Sequence, residues 1–349
     1  MRILIYTDNH FSQYSSIVRS RGEEYSTRLE NQIQSINWVE SLAKEKGCDA
    51  IVHLGDFFDK PDLSSEEITA FKDINWAAKP HYFLVGNHEM GRNDLVYNSA
   101  EILNVAPMAK IISKPFTISA SIRENTGLVF IPYILEEDRK PIRYYIKNCD
   151  DIGIAYNKII IFSHNDISGI RYGQWESKVG FDIHDIETNC DLYINGHLHN
   201  QTQISKKILN LGNLTGQNFS EDAEKYSHCA AILDTDTLNV DLIVNPYALN
   251  FFKLEILSKD DFKELDKCKD QSVVSIKTYQ SLIDELRKEI SKHDGIISYR
   301  ITTIPEPTKS ESQDIKQILK LDHLDQFRQY IKENLDNNEI LEEELSLIK

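Results

Sequence analysis

The sequence predicts a layered α/β domain followed by a small α+β unit and a helical tail. Three observations carry that prediction. Short apolar runs recur through the first 249 residues, most closed by a polar, often glycine-bearing turn. A long stretch between the first two runs has helical spacing, and the texture of the chain changes at residue 250. Runs of this length suit strands buried on both faces of a sheet, and their alternation with helical stretches implies stacked layers.

The apolar runs fall at 2–7, 50–54, 81–85, 128–131, 158–163 and 191–195, with 208–211, 229–234 and 240–244 completing the domain. Over 27–46, Leu29, Ile33, Ile36, Val39, Leu42 and Ala43 recur at helical spacing, and Gly47 is a stop signal. Residues 64–76 form a second helical stretch. From Phe251 a strand-like FFKLEIL, a charged helix, VVSIKTY, a helix over 280–292 and IISYRIT make an α+β unit over 250–304. Pro305, Pro307 and their polar neighbours read as a linker. The tail carries Ile315, Ile318, Leu319, Leu324, Phe327 and Ile331 on one helical face. The expected domains are therefore 1–249, 250–304 and 305–349.

Composition narrows the function classes. At 349 residues, with 41% hydrophobic and 27% charged side chains, the chain is neither disordered nor fibrous. No apolar run approaches the ~20 residues of a membrane helix, and the N-terminus turns polar too soon for a signal peptide. Five cysteines, odd in number and without a CxxC pair, are expected as reduced, mostly buried thiols in a cytoplasm. The net charge of −16 runs against a general grip on a polyanion. Any hold on phosphate must come from bound metal, a few local arginines or a partner.

Five polar clusters follow the strands: Asp8-Asn9-His10, Gly55-Asp56-Phe57-Phe58-Asp59, Gly86-Asn87-His88-Glu89, Ser163-His164-Asn165 and Gly196-His197-Leu198-His199. Strand carboxyl ends converge on the binding crevice of an α/β sheet, so residues far apart in sequence can meet there. The donors are carboxylate, amide and imidazole without thiolate, a set suited to manganese or iron, with zinc as another candidate. Their number suggests two ions, with Asp56 as the bridge, able to clamp a phosphoryl group. The glycines before Asp56, Asn87 and His197 are expected to permit sharp turns. Glu89 is read as a surface or supporting residue, and His53 and His81 as core histidines.

DxH, GDxxD, GNHE, a histidine after a strand and GHxH, in this order, resemble the calcineurin-like metallophosphoesterase superfamily over residues 1 to about 245. The resemblance implies that fold, a layered α/β sandwich. It assigns one metal to Asp8, His10, Asp56 and His199, and the other to Asp56, Asn87, His164 and His197. His88 matches the histidine that steadies the transition state and assists the leaving oxygen, and Asp59 is expected to orient a ligand or loop.

The metal site does not choose among phosphatases, nucleotide diesterases and nucleases, while its full ligand set argues against the alternative of a non-catalytic scaffold. Arg19, Arg21 and Arg28, near the first helix, are candidate DNA-backbone contacts. The domain layout and the Ser163–Gly169 stretch resemble the SbcD / Mre-eleven family of DNA repair nucleases, especially the recombination endonuclease subunits of large phages. That resemblance implies a DNA exonuclease and endonuclease using two divalent ions, most simply manganese, with magnesium or iron as alternatives. It further implies an α+β capping domain, and a tail (310–349) that binds the coiled coil of an SbcC-like ABC ATPase. The expected assembly is a homodimer within a heterotetramer.

Overall fold

A computed structural model describes residues 1–17, 22–121, 125–148, 156–172, 175–219 and 227–306. Two six-stranded sheets face each other. The first runs Val240–Val244, Cys229–Asp234, Arg2–Tyr6, Ala50–His53, His81–Leu84, Ala109–Ile112 in lateral order. The second runs Thr202–Gln203, Ile208–Asn210, Leu192–Asn195, Lys158–Ser163, Thr126–Ile131, Phe116–Ser121.

Strand alternation divides the core. Ile3, Ile5, Val52 and Leu84 point between the sheets, where they meet Leu128, Phe130, Ile160, Phe162 and Ile194. Leu4, Tyr6, Ile51 and Phe83 point outward, onto α1 (Thr27–Glu45) and α2 (Ser65–Ala70). The outer face of the second sheet packs Val129, Ile131, Ile161 and Tyr193 against α3 (Ile142–Asn148) and α4 (Ile183–Asn189). The result is a helix–sheet–sheet–helix sandwich.

Two differences from the sequence reading have clear causes. The second helical stretch is shorter than expected: α2 starts at a Ser64–Glu67 capping box and gives way to a 3-10 turn at Phe71–Asp73. Trp76 lies beyond it, its ring against Phe57, Phe71 and Phe83. Ala109–Ile112 and Phe116–Ser121, each at a sheet edge, are strands outside the expected set; they are only partly buried and lack a continuous apolar run.

Residues 250–304 form a third sheet, Asn250–Ile256, Ser272–Tyr279 and Ile296–Ile304, all parallel. A 3-10 segment (Lys259–Lys267) and α5 (Ile283–Ile290) make its crossovers and bury Leu265, Leu286 and Ile290 against Leu254, Val274 and Ile276. Ile17, Phe219, Leu249, Phe251 and Val273 join this unit to the first domain. Four cysteines are free thiols, and Cys48, Cys190 and Cys229 are buried. Arg19, Arg21, Cys149 and the tail beyond residue 306 lie outside the described residues. Among the described residues no helix is long and apolar enough to cross a membrane.

Candidate metal centre

Parallel pairing puts the polar clusters in one place. Arg2–Tyr6, Ala50–His53 and His81–Leu84 are parallel neighbours, so their carboxyl ends deliver Asp8, His10, Asp56, Asn87 and His88 to one rim. Lys158–Ser163 and Leu192–Asn195 are parallel neighbours in the facing sheet and deliver His164, His197 and His199. Four of these residues have left-handed backbone: Asp8 (φ 52°), His10 (φ 46°), Asp56 (φ 53°) and His197 (φ 73°). Of the flanking glycines only Gly55 turns this way, at φ 126°. Gly86 and Gly196 serve differently from the expectation: they make room. A Cβ on Gly86 would lie 2.1 Å from Asp56 Oδ1, and one on Gly196 would lie 2.3 Å from Thr7 Oγ1.

The strained loops are held from behind. Gln32 donates to the carbonyls of Asn9 (2.6 Å) and His10 (2.7 Å), and Arg28, one turn earlier on α1, donates to Asn9 O (3.2 Å) and Gly216 O (2.7 Å). Arg28 is therefore not a DNA contact: it is 1% exposed and ties the Asp8–His10 loop to the 213–217 loop. Glu89 is fully buried rather than superficial. Its carboxylate accepts from the backbone N–H groups of Gly86 (2.6 Å), Asp56 (3.2 Å) and Phe58 (3.0 Å). Burial, then the neighbouring Asp56 charge, push its pKa up to about 8. His53 is a buried histidine, 3.1 Å from Asn9 Oδ1 through Nε2.

The first donor group is Asp8, His10 and His199. Asp8 Oδ2 accepts from Thr7 Oγ1 (2.6 Å) and from the His197 backbone N–H (3.0 Å). Its other oxygen, Oδ1, is buried with no hydrogen-bond partner among the described residues. It lies 3.8 Å from His10 Nε2 and 4.0 Å from His199 Nε2, and those two nitrogens lie 3.1 Å apart. Donor atoms bound at about 2.0–2.2 Å around one ion have such mutual spacings. Asp59 Oδ1 sits 3.2 Å from His10 Nδ1, which leaves Nε2 turned toward the group.

The second donor group is Asp56, Asn87, His164 and His197. Asp56 Oδ2 is 3.1 Å from His164 Nε2 and 3.9 Å from His10 Nε2, so one carboxylate oxygen faces both groups. Asn87 Oδ1 is 3.3 Å from His164 Nε2 and 2.9 Å from His197 Nδ1. His197 Nε2 lies 3.3 Å from Asp166, whose pKa burial raises but the His197 hydrogen bond and the charges of His197, Arg139 and His164 together lower. With Nε2 turned to Asp166, the other ring nitrogen, Nδ1, faces the Asn87 amide oxygen. For His164, burial pulls the pKa down, but the Asp56 charge and hydrogen bond carry it up to about 9. These oxygen and imidazole donors and the orphaned Asp8 oxygen fit two divalent cations.

His88 differs from the donors. Its side chain is 39% exposed and its ring stands edge-on to His10, 4.6 Å between centroids. Its backbone N–H donates to Asp56 Oδ1 (2.9 Å) and its Nδ1 lies 2.9 Å from the Asp59 carbonyl. A carbonyl only accepts, so Nδ1 carries the proton and Nε2 is left for a ligand. Gln217 donates to Asp59 Oδ1 (2.8 Å), steadying the residue that contacts both His10 and His88.

All seven sequence-assigned donors and His88 thus converge. Sequence reasoning missed Asp166 and Gln32. Asp166 stands two residues after His164, and Gln32 one turn after Arg28, but nothing local marks either as a support. Comparison with solved structures finds the TT1561 protein of Thermus thermophilus at 13% identity and TM-score 0.40, covering 70% of this chain and 98% of that one. A dimetal phosphatase from Danio rerio matches at 12% and 0.39, covering 66% and 91%. The calcineurin-like phosphoesterase YfkN from Bacillus subtilis matches at 11% and 0.37, covering 70% and 88%. No curated protein matches the chain. The calcineurin-like phosphoesterase model matches residues 1–201, more than half of the sequence and the whole span of the donor residues. The chain belongs to the calcineurin-like phosphoesterase family, whose members are metal-dependent hydrolases of phosphoester bonds.

Proposed function

We propose that this chain is the nuclease subunit of an SbcCD-like recombination and repair assembly, hydrolysing DNA phosphodiesters with two divalent ions, most simply manganese. The observation that carries the reading is Asp56, a single buried carboxylate with one oxygen facing two donor groups. Asp8, His10 and His199 would hold one ion, Asn87, His164 and His197 the other, and Asp56 both. When bound, the ions supply Lewis acidity and neutralise charge on the phosphoryl oxygens. His88, its Nδ1–H held by the Asp59 carbonyl, would in its doubly protonated form donate Nε2–H to a phosphoryl oxygen and give that proton to the departing sugar oxygen, returning to the neutral Nδ1–H ring. Asp59 and Asp166 fix the tautomers of His10 and His197.

Two features support DNA over a small phosphoester. One is the motif order and domain layout described above. The other is the α+β unit, seated through Phe251 and Val273 against Phe219, two residues from the Gln217 that reaches Asp59. Residues 310–349 would bind the coiled coil of an SbcC-like ATPase, two copies of each chain forming the assembly. The ATPase would supply the DNA grip that a net charge of −16 does not.

The test is manganese-dependent digestion of end-labelled single- and double-stranded DNA, with His88→Asn alongside. The wild-type chain degrades DNA; His88→Asn still binds two ions and cleaves about 10²–10⁴-fold more slowly. Turnover of phosphopeptides or mononucleotides with no action on DNA would overturn the reading.

A further inference from the structure

We propose that a cavity beside the metal centre receives an unpaired nucleobase of the DNA strand being cut. The inference rests on the nuclease reading and narrows it to strands whose bases are free to turn outward. The cavity is about 400 Å³, within the range of small-molecule sites, and shares a wall with the centre. Tyr133 is that wall. Its ring centroid lies 5.6 Å from that of His197, and its backbone N–H donates to Val85 O, at the end of the strand that delivers Asn87 and His88. Met90, two residues past His88, also lines the cavity.

The lining chemistry suits a base. Tyr133, Tyr144, Leu95 and Val96 present aromatic and aliphatic surface. Tyr144 is 49% and Val96 58% exposed, the Tyr144 ring standing edge-on to the buried Tyr145. Lys114 and Lys140 stand at the same cavity as cations for flanking phosphates, and Asp94 and Asp138 as acceptors for exocyclic amines. Every base has a π-face, so stacking on tyrosine tolerates any sequence, as a nuclease requires. A base paired within a duplex cannot enter a concavity; one at a frayed or single-stranded end can.

The experiment uses the full chain and a single-stranded oligonucleotide carrying 2-aminopurine. In EDTA, where nothing is cut, the wild-type chain is expected to quench the probe saturably. Tyr144→Ala loses the quench, Tyr144→Phe keeps it, and Val96→Asp, at a position too exposed to endanger folding, loses it as well. With manganese, the kcat/KM for the oligonucleotide relative to that for bis-p-nitrophenyl phosphate falls about tenfold in Tyr144→Ala and holds in Tyr144→Phe. If quench and ratio are the same in all four proteins while DNA is still cut, the pocket assignment fails and the nuclease reading stands. If the wild-type chain hydrolyses the small diester but no oligonucleotide, both fail.

Discussion

Two buried groups of histidine and carboxylate sit at opposite ends of the same sheet. At the amino end of His81–Leu84, His81 Nε2 lies 3.1 Å from Glu40 Oε2, and Nδ1 lies 2.7 Å from Lys79 O and 3.1 Å from Pro107 O. Glu40 Oε2 also accepts from the Ala77 N–H at 2.8 Å. Both imidazole nitrogens have acceptors within hydrogen-bond reach, and only Glu40 Oε1 of this pair has no partner among the described residues. At the carboxyl end, His10 Nε2 faces His199 Nε2, His197 Nδ1 faces Asn87 Oδ1, and Asp8 Oδ1 faces no donor. Asp8, His10 and Asp56 are as buried as His81 and Glu40, while His197 and His199 are partly exposed. What separates them is number and convergence: one place holds a single imidazole–carboxylate pair, the other gathers several imidazole nitrogens and carboxylate oxygens around common points.

The contrast breaks most visibly at the bridge. Asp56→Asn keeps shape but removes the shared charge, and titration calorimetry is expected to show fewer than two ions bound with hydrolysis near background. Two ions bound at wild-type affinity would show that Asp56 is not shared. At the other end of the sheet, Glu40→Ala leaves His81 uncompensated and is expected to cost about 3–5 kcal/mol in urea unfolding, with metal affinity unchanged. A change in metal affinity would join two groups that are separate here. Between these lies Asp166→Asn, which frees His197 from its orienting partner and is expected to weaken metal binding about 10–100-fold without lowering stability.

The smallest effect is one of pH. Burial lowers the His81 pKa, but the Glu40 hydrogen bond and charge raise it more, to a net position above 6.5. A histidine raised on folding stabilises fully below its unfolded pKa, and that stability is lost as pH rises through the folded one. The unfolding free-energy gap between wild type and Glu40→Gln, measured in EDTA, should therefore be widest near about pH 6 and shrink by about pH 9. A gap constant across that range would mean that His81 is not charged in the folded protein.

The metal centre could be read from the sequence because five polar clusters occur in a fixed order, each just beyond an apolar strand. Asp8, His10, Asp56, Asn87, His164, His197 and His199 all arrive where parallel pairing sends them. Arg28 could not be read, because its burial depends on carbonyls at Asn9 and Gly216, the latter 188 residues away in sequence. Glu89 followed a motif that pointed at its neighbours, while its own partners are backbone N–H groups, which no sequence pattern displays. The charged segment after the first strand of the α+β unit reads as α-helix but winds as 3-10 over Lys259–Lys267.

The left-handed backbone at Asp8 and Asp56 bears on how this protein should be mutated. Asparagine rests easily in that conformation and alanine does not. Alanine scanning there would charge the fold for a bent peptide and the centre for a missing oxygen in a single measurement. Silent but well-folded versions, of the kind needed to trap a substrate, are better made with the amide.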